Sequence, residues 1–369
     1  MSQFVGEGYH PAAMPFRVPS TALLDIDARR ICLIKPTALG DVVQTLPLLG
    51  VLRRRFPTAA ISWVVRRAFS DLLSGHPDLT EIIPFHRRGG WRESLELLRL
   101  LKHRRFDLVF DLQGLFRTGM MTWATGAAVR VGLESSREGA SLACNCVIRH
   151  SGRDVPAHVR YWRVAEALGV PNHPRVAVVP TGAAESVWLA ERTRHMPRPL
   201  LAIHPGAGWE TKRWPVEKFA EIVRRFEGSV VVVGSAGERG LAARIVETTA
   251  ARRNPAINLA GETSLKQLAA ILGAADVVVS NDSGPMHLAA AMGTPVVGIF
   301  TCTSPILSGP AGTSHELIST GVPCAASYRK SCPMHGKAHL GCLAELPVER
   351  VWNALVRILD RRHPAARPA

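Results

Sequence analysis

The apolar positions of this chain fall into short, β-branched runs separated by longer stretches with helical spacing. Asp276-Val277-Val278-Val279 is one such run and reads as a buried parallel strand. It stops at Ser280-Asn281-Asp282-Ser283-Gly284-Pro285, a cluster of turn and N-cap residues. Met286 to Met292 then reads as a helix, with Pro285 in its first turn, and Pro295 to Phe300 as the next strand. The same alternation runs through the whole sequence. In the first half it predicts strands at Ile31–Ile34, Ala60–Val65, Glu81–Phe85, Phe106–Asp111 and Arg130–Gly132, with helices at Val42 to about Arg55, Glu93–His103 and His158–Leu168. In the second half it predicts strands at Leu200–Ile203, Val230–Val233 and Ile257–Leu259. Helices are expected at Val216–Arg225, after a Ser264 cap to Leu272, and at Val348–Arg361.

Strand–helix alternation of this kind predicts an α/β protein with two doubly wound parallel sheets facing a cleft. The Pro-rich stretch between them places the connection at 181–199. The expected divisions are a loose extension at 1–27, a first domain at 28–180, a second at 200–345, and a final helix with a basic tail at 346–369.

Ligands of open parallel sheets bind at the carboxyl ends of the strands. That rule collects Asp41, Arg87, Arg88, Arg92, Gln113, Arg117 and Arg137 at one edge of the first sheet. One acid among many arginines suits an anionic sugar or phosphate. At the second sheet the same rule points to the turn Asp282-Ser283-Gly284, with a helix start suited to phosphate. The first glycine turn lacks GxGxxG and GxxxxGK[ST], so a dinucleotide site or P-loop is a poor fit. His204 reads either as a functional residue or as a structural histidine, core or hydrogen-bonding, beneath the Gly206–Gly208 turn.

Composition narrows the partners. Lys and Arg exceed Asp and Glu by 45 to 30, a net charge of +15. That surplus favours polyanions: nucleic acid, anionic lipid surfaces or phosphorylated glycolipids. Aromatic residues make up only 6%, which supplies stacking platforms for single strands poorly. No signal-peptide pattern and no apolar run of spanning length are present, so the expected location is the cytoplasm, touching a membrane from outside. The seven cysteines fit reduced thiols. Cys324, Cys332 and Cys342 lack any CxxC spacing and give little support for zinc.

ICLIKPTALGD at Ile31–Asp41, DLQGLFRTG at Asp111–Gly119, HPGAGWETKRWP at His204–Pro215 and NDSGPMHLAAAMGTPVV at Asn281–Val297 together resemble the bacterial ADP-heptose glycosyltransferases of the lipopolysaccharide inner core. The resemblance runs from about Ile31 to Leu359. It implies the GT-B architecture, with the last helix packing back on the N-terminal domain and the donor held by the C-terminal one. By position, Asp41 resembles the family's general base and Lys212 the lysine that neutralises the donor diphosphate. Gly206, Glu238, Asp282, Ser283, Gly284 and His287 fall in the donor-binding segments. Arg87, Arg88, Arg92, Gln113, Arg117 and Arg137 fall on the acceptor side. The implied activity is inverting transfer of heptose from ADP-heptose to a Kdo or heptose acceptor of the lipid A–Kdo type, without metal or cofactor, at the cytosolic face of the inner membrane. Another GT-B enzyme using a different nucleotide sugar, such as an epimerase, is the alternative. A basic nucleic-acid or membrane-surface binder is a second one, although no helix-turn-helix, RRM or zinc-finger pattern is present and no nucleic acid is expected.

Overall fold

Strands buried on both faces cannot be joined by hairpins and still be covered, so helical crossovers return the chain to the same sheet edge each time. In the computed structural model, which describes residues 18–362 apart from 251 and 253, all strand pairing is parallel. The first sheet contains β1 (Arg30–Ile34), β2 (Ala60–Arg66), β3 (Glu81–Phe85), β4 (Leu108–Asp111), β5 (Val129–Leu133) and β6 (Cys146–Ile148), in the order β3-β2-β1-β4-β5-β6. The second contains β7 (Leu200–His204), β8 (Ser229–Val232), β9 (Ile257–Asn258), β10 (Val277–Asn281), β11 (Val296–Phe300) and β12 (Glu316–Ser319), in the order β12-β11-β10-β7-β8-β9. Both sheets therefore reverse direction between their first and fourth strands, and those reversals are where ligand crevices form. The two doubly wound sheets are the GT-B fold. Among the described residues no helix is long and apolar enough to cross a membrane.

The central strands carry the core. All five residues of β10 are buried, as are all five of β7 and β11. Two short strands, β6 and β12, are not among those expected from the sequence. Their burial alternates or stays partial, which leaves no apolar run to read.

Three expectations differ from the structure. The helix after β1 starts at Leu39, not Val42, and is broken: Leu39–Thr45 is followed by Pro47–Arg55. Pro47 has no N–H to continue the first helix, and it opens the second one instead. The final helix, Val348–Arg362, does not pack on the first sheet. Val351, Ala354, Leu355 and Ile358 are buried in the core of the second sheet. Arg357 and Arg361 reach Glu316 on β12 at 2.9 and 2.8 Å. Its apolar stripe meets the nearest uncovered sheet face, and the arginines fix its edge. Of the expected loose N-terminal extension, the described part is packed: Leu23 is fully buried, and the Val18 N–H donates to the Asn145 carbonyl. Residues 1–17 and the basic tail at 363–369 lie outside the described residues.

The two sheets approach through two helix starts, Leu39–Thr45 after β1 and Gly284–Ala291 after β10. Each contributes a glycine at the closest point. A Cβ on Gly40 would stand 2.5 Å from Cδ2 of His287, and one on Gly284 would stand 2.8 Å from the Leu39 side chain. Gly40→Ala is therefore expected to cost about 1–3 kcal/mol, the usual range for overpacking. Chemical denaturation measures this directly; an unchanged midpoint would mean that the contact relaxes freely.

Candidate active site

The cleft between the sheets has a volume of about 580 Å³ and is lined by Asp41, Arg137, Arg153, Arg160, Trp209, Lys212, Asp282, Ser283, Gly284, His287 and Tyr328, among others. Its floor on the first sheet begins with Lys35, the residue after β1, which is buried at 2% exposure. Its ammonium lies 3.5 Å from Asp41 Oδ2 and 4.9 Å from the centre of the Tyr161 ring. Tyr161 donates its hydroxyl to Asp41 Oδ1 at 2.7 Å, and the Ala38 N–H donates to Oδ2 at 3.2 Å. Asp41 thus sits in the first turn of its helix with its carboxylate folded back on the helix start. Burial pushes its pKa up, but Lys35, the Tyr161 hydroxyl, the Ala38 amide and His287 together hold it below the usual carboxylate range. Its side chain stays 32% exposed, open to the cleft.

The opposite wall grows from β7 and β10. Asn281, fully buried, donates to the Pro205 carbonyl at 2.7 Å and accepts the Trp214 N–H at 3.1 Å, so it ties the loop after β7 to the end of β10. Asp282 Oδ2 takes Lys212 Nζ at 2.7 Å and the Thr303 hydroxyl at 2.6 Å. Lys212 also lies 4.6 Å from the centre of the Trp209 ring, which fixes its direction twice. Ser283, in extended backbone, is the N-cap position of the helix that follows. Its hydroxyl meets His204 Nδ1 at 3.0 Å, and His204 Nε2 lies 3.5 Å from Glu238 Oε2. Burial raises the Glu238 pKa, but His204 and the Ser235 donors outweigh it and bring it down to about 2. His204 is thus a buried hydrogen-bonding histidine. Gly206 leaves the space that the Glu238 carboxylate fills; any Cβ there would collide with it. His287 is buried against Gly40 with its Nδ1 unpartnered, and burial pushes its pKa down although Asp282 and Asp41 pull it up.

The expected residues divide. Asp41, Lys212, Asp282, Ser283, Gly284 and His287 share the cleft, and Arg137 joins them because its N–H donates to the Gly114 carbonyl at the end of β4. Gly206 and Glu238 stand behind Ser283 through His204. Gln113 turns inward to accept the Thr37 N–H at 3.2 Å. Arg87 and Arg88 line a different groove, of about 600 Å³, together with Arg66 and Arg67. Arg117 donates to the Arg87 carbonyl at 3.0 Å and covers Phe85, while Arg92 lies over Trp91, exposed. Sequence reading missed Lys35, Tyr161, Arg153 and Arg160. Lys35 had a usable signal, a charge placed directly at the end of an apolar strand. Tyr161 is distant in sequence and had none. Among the described residues, no group of three or more His, Cys, Asp or Glu side chains is arranged to hold a metal ion.

Two facing parallel sheets with cations and helix starts at their switch points have the GT-B architecture, and the cleft between them is suited to an anionic ligand. The sequence model of glycosyltransferase family 9 (heptosyltransferase) matches residues 94–338, and the chain belongs to that family. It is 30% identical over 300 residues to the lipopolysaccharide core heptosyltransferase OpsX of Haemophilus influenzae, covering 79% of this chain and 84% of that one. It is 32% identical over 326 residues to lipopolysaccharide heptosyltransferase 1 of Pseudomonas aeruginosa, covering 82% and 87%. The solved structure of the ADP-heptose lipopolysaccharide heptosyltransferase II of E. coli superposes with a TM-score of 0.73 at 25% identity, over 90% of this chain and 99% of that one. The chain is therefore a glycosyltransferase of lipopolysaccharide core assembly, and the epimerase and polyanion-binder readings are not favoured.

The Lys35 contact makes a measurable claim. A carboxyl whose pKa is depressed on folding adds stability above its ordinary range, and that stability is lost as pH falls through the depressed value. Lys35→Met removes the largest of the influences that lower Asp41. The Asp41 carboxyl is then expected to titrate at higher pH in an NMR titration, and acid unfolding to begin at higher pH. An unmoved Asp41 titration would show that Tyr161 and the helix start suffice.

Proposed function

We propose that this enzyme transfers heptose from ADP-heptose to an anionic Kdo- or heptose-bearing acceptor of the lipopolysaccharide inner core, with inversion and without a metal. The observation that carries the reading is the sharing of one cleft by Asp41, held ionised, and Lys212, held at a helix start. Asp41 acts as the base that takes the acceptor hydroxyl's proton as the anomeric carbon is attacked. Lys212 and the N–H groups from Gly284 onward meet the diphosphate as leaving-group charge develops. Asp282 has both its lysine and Thr303 on one oxygen, so its role is to position Lys212. Ser283, His204 and Glu238 form the rest of the donor wall, with Gly206 making room for the Glu238 carboxylate. The E. coli relative, an ADP-heptose enzyme by name, supports the donor. Arg137, Arg153 and Arg160 read the acceptor's anionic sugars nearest the base. Arg87 and Arg88, with Arg92 and Arg117 beside them, extend that reading outward. The working location is the cytosolic surface of the inner membrane, where such an acceptor is anchored.

Asp41→Asn keeps the size and can still cap the helix start but cannot take a proton. It is expected to fold, to bind ADP, and to lose on the order of 10²-fold or more in kcat. Near wild-type turnover in the folded variant would remove Asp41 from the chemistry. Chelation tests the diphosphate assignment. With EDTA present, transfer followed by mass spectrometry is expected to stay close to the untreated rate; a strict need for an added divalent ion would overturn the lysine-and-helix arrangement.

A further inference from the structure

The helix Phe116–Ala124 is built with its polarity reversed. Thr118, Gly119, Met121 and Thr122 are buried, while Phe116, Met120 and Trp123 face outward at positions one and two turns apart. Beside it, Trp91–His103 exposes Trp91 and Leu95 one turn apart while Leu101 goes into the core. The two helices pack on each other, and the turn Ala140–Ala143, which carries Leu142, packs on the first of them across Gly119. Exposure runs from 37% at Leu95 and 40% at Met120 through 62–73% at the aromatic rings to 88% at Leu142. Isolated exposed apolar residues need no explanation, but an aromatic stripe on adjoining elements does.

The surroundings are mostly basic, although Glu93 shares the groove with the arginines and the Glu138 carboxylate accepts the Phe116 N–H. Arg92 lies over the Trp91 ring, and Arg117, next to Phe116, covers Phe85 at the wall of the groove that holds Arg66, Arg67, Arg87 and Arg88. Aromatic and Leu side chains with arginines at their rim match the headgroup–acyl boundary of a bilayer containing acidic lipid. A second copy of this chain matches less well, because a two-fold contact across the stripe would bring the two arginine grooves together.

We propose that this face of the first domain, formed by Trp91, Leu95, Phe116, Met120, Trp123 and Leu142, inserts shallowly into an acidic phospholipid bilayer. Arg66 and Arg67 of the arginine groove contact lipid phosphates at the edge of the insertion. The inference rests on the reading of the acceptor as a membrane-anchored glycolipid and names the surface that would meet its membrane.

The test uses the full chain with vesicles of phosphatidylcholine, with and without phosphatidylglycerol, in a flotation assay, and a deacylated acceptor for turnover. The wild type is expected to float with the phosphatidylglycerol vesicles, and its tryptophan emission to be quenched by lipids brominated near the headgroup. Trp91→Ser/Phe116→Ser/Trp123→Ser is expected to lower vesicle partitioning about tenfold or more, with unchanged turnover on the deacylated acceptor. Should the triple variant fold poorly by circular dichroism, Trp91→Ser and Trp123→Ser are made singly and are each expected to show part of the loss. Unaltered vesicle binding in the folded variants would overturn the proposal. So would a wild-type dimer in sedimentation velocity that the triple variant splits while lipid binding stays the same. Vesicle binding lost in the variants, together with no transfer by the wild type to any heptose acceptor, would support the surface and defeat the reading of the substrate.

Discussion

The cleft depends on how closely two helix starts can approach. Gly40 on one helix faces His287 on the other, and Gly284 faces Leu39, so each helix supplies the missing side chain that the other needs. A methyl group at either position would occupy the space that now brings the sheets together. The geometry has an electrostatic result. Both helices follow strands at the switch points of their sheets, and both aim their positive ends and unpaired amides at the same volume. An anion placed there feels two helix starts, and a carboxylate at the edge, Asp41, is stabilised in its charged form.

Charge in the cleft is distributed by local pairing. Asp41 is held by Lys35 and Tyr161, Asp282 by Lys212 and Thr303, and Glu238 by His204 and Ser235. Among the described residues none of the remaining cleft arginines, Arg137, Arg153 and Arg160, has a carboxylate at ion-pair distance. Each acid thus has its own local hydrogen-bond or ion-pair partner, while these three arginines face the cleft without a paired carboxylate. This distribution suits an anionic ligand. The net charge of the chain could suggest it but could not locate it.

Much of this was legible in the sequence where the physics is local. The β10 run and its Asn281–Pro285 turn need only period, turn chemistry and proline placement to be read, and Ser264 caps its helix with Gln267 as the pattern requires. What was not legible depends on tertiary contact. The final helix has a clear apolar stripe, yet nothing in the stripe says which sheet it covers. Arg87 and Arg137 both follow strands, but the Arg137 loop is tied to Gly114 and turned toward the cleft, while Arg87 stays beside β3 and opens on another groove. Tyr161 reaches Asp41 from 120 residues away. The strand-end rule finds the correct edge of a sheet; the side of that edge is set by partners the rule does not contain.

The pairing of Lys212 with Asp282 bears on how a donor diphosphate would be held. A lysine already 2.7 Å from a buried carboxylate gains less from a new anion than a free one would, because part of its field is spent on the aspartate. Its direction, however, is fixed before the ligand arrives, by Asp282 on one side and the Trp209 ring on the other. Thr303 keeps the aspartate from following the lysine. Such a lysine contributes little to ground-state affinity relative to its charge. In the proposed transfer it would contribute more as negative charge accumulates on the departing phosphate, because no reorientation would then be needed. In the proposed transfer, Asp282 would lower the affinity that Lys212 could offer and, in exchange, fix the ammonium before the transition state is reached.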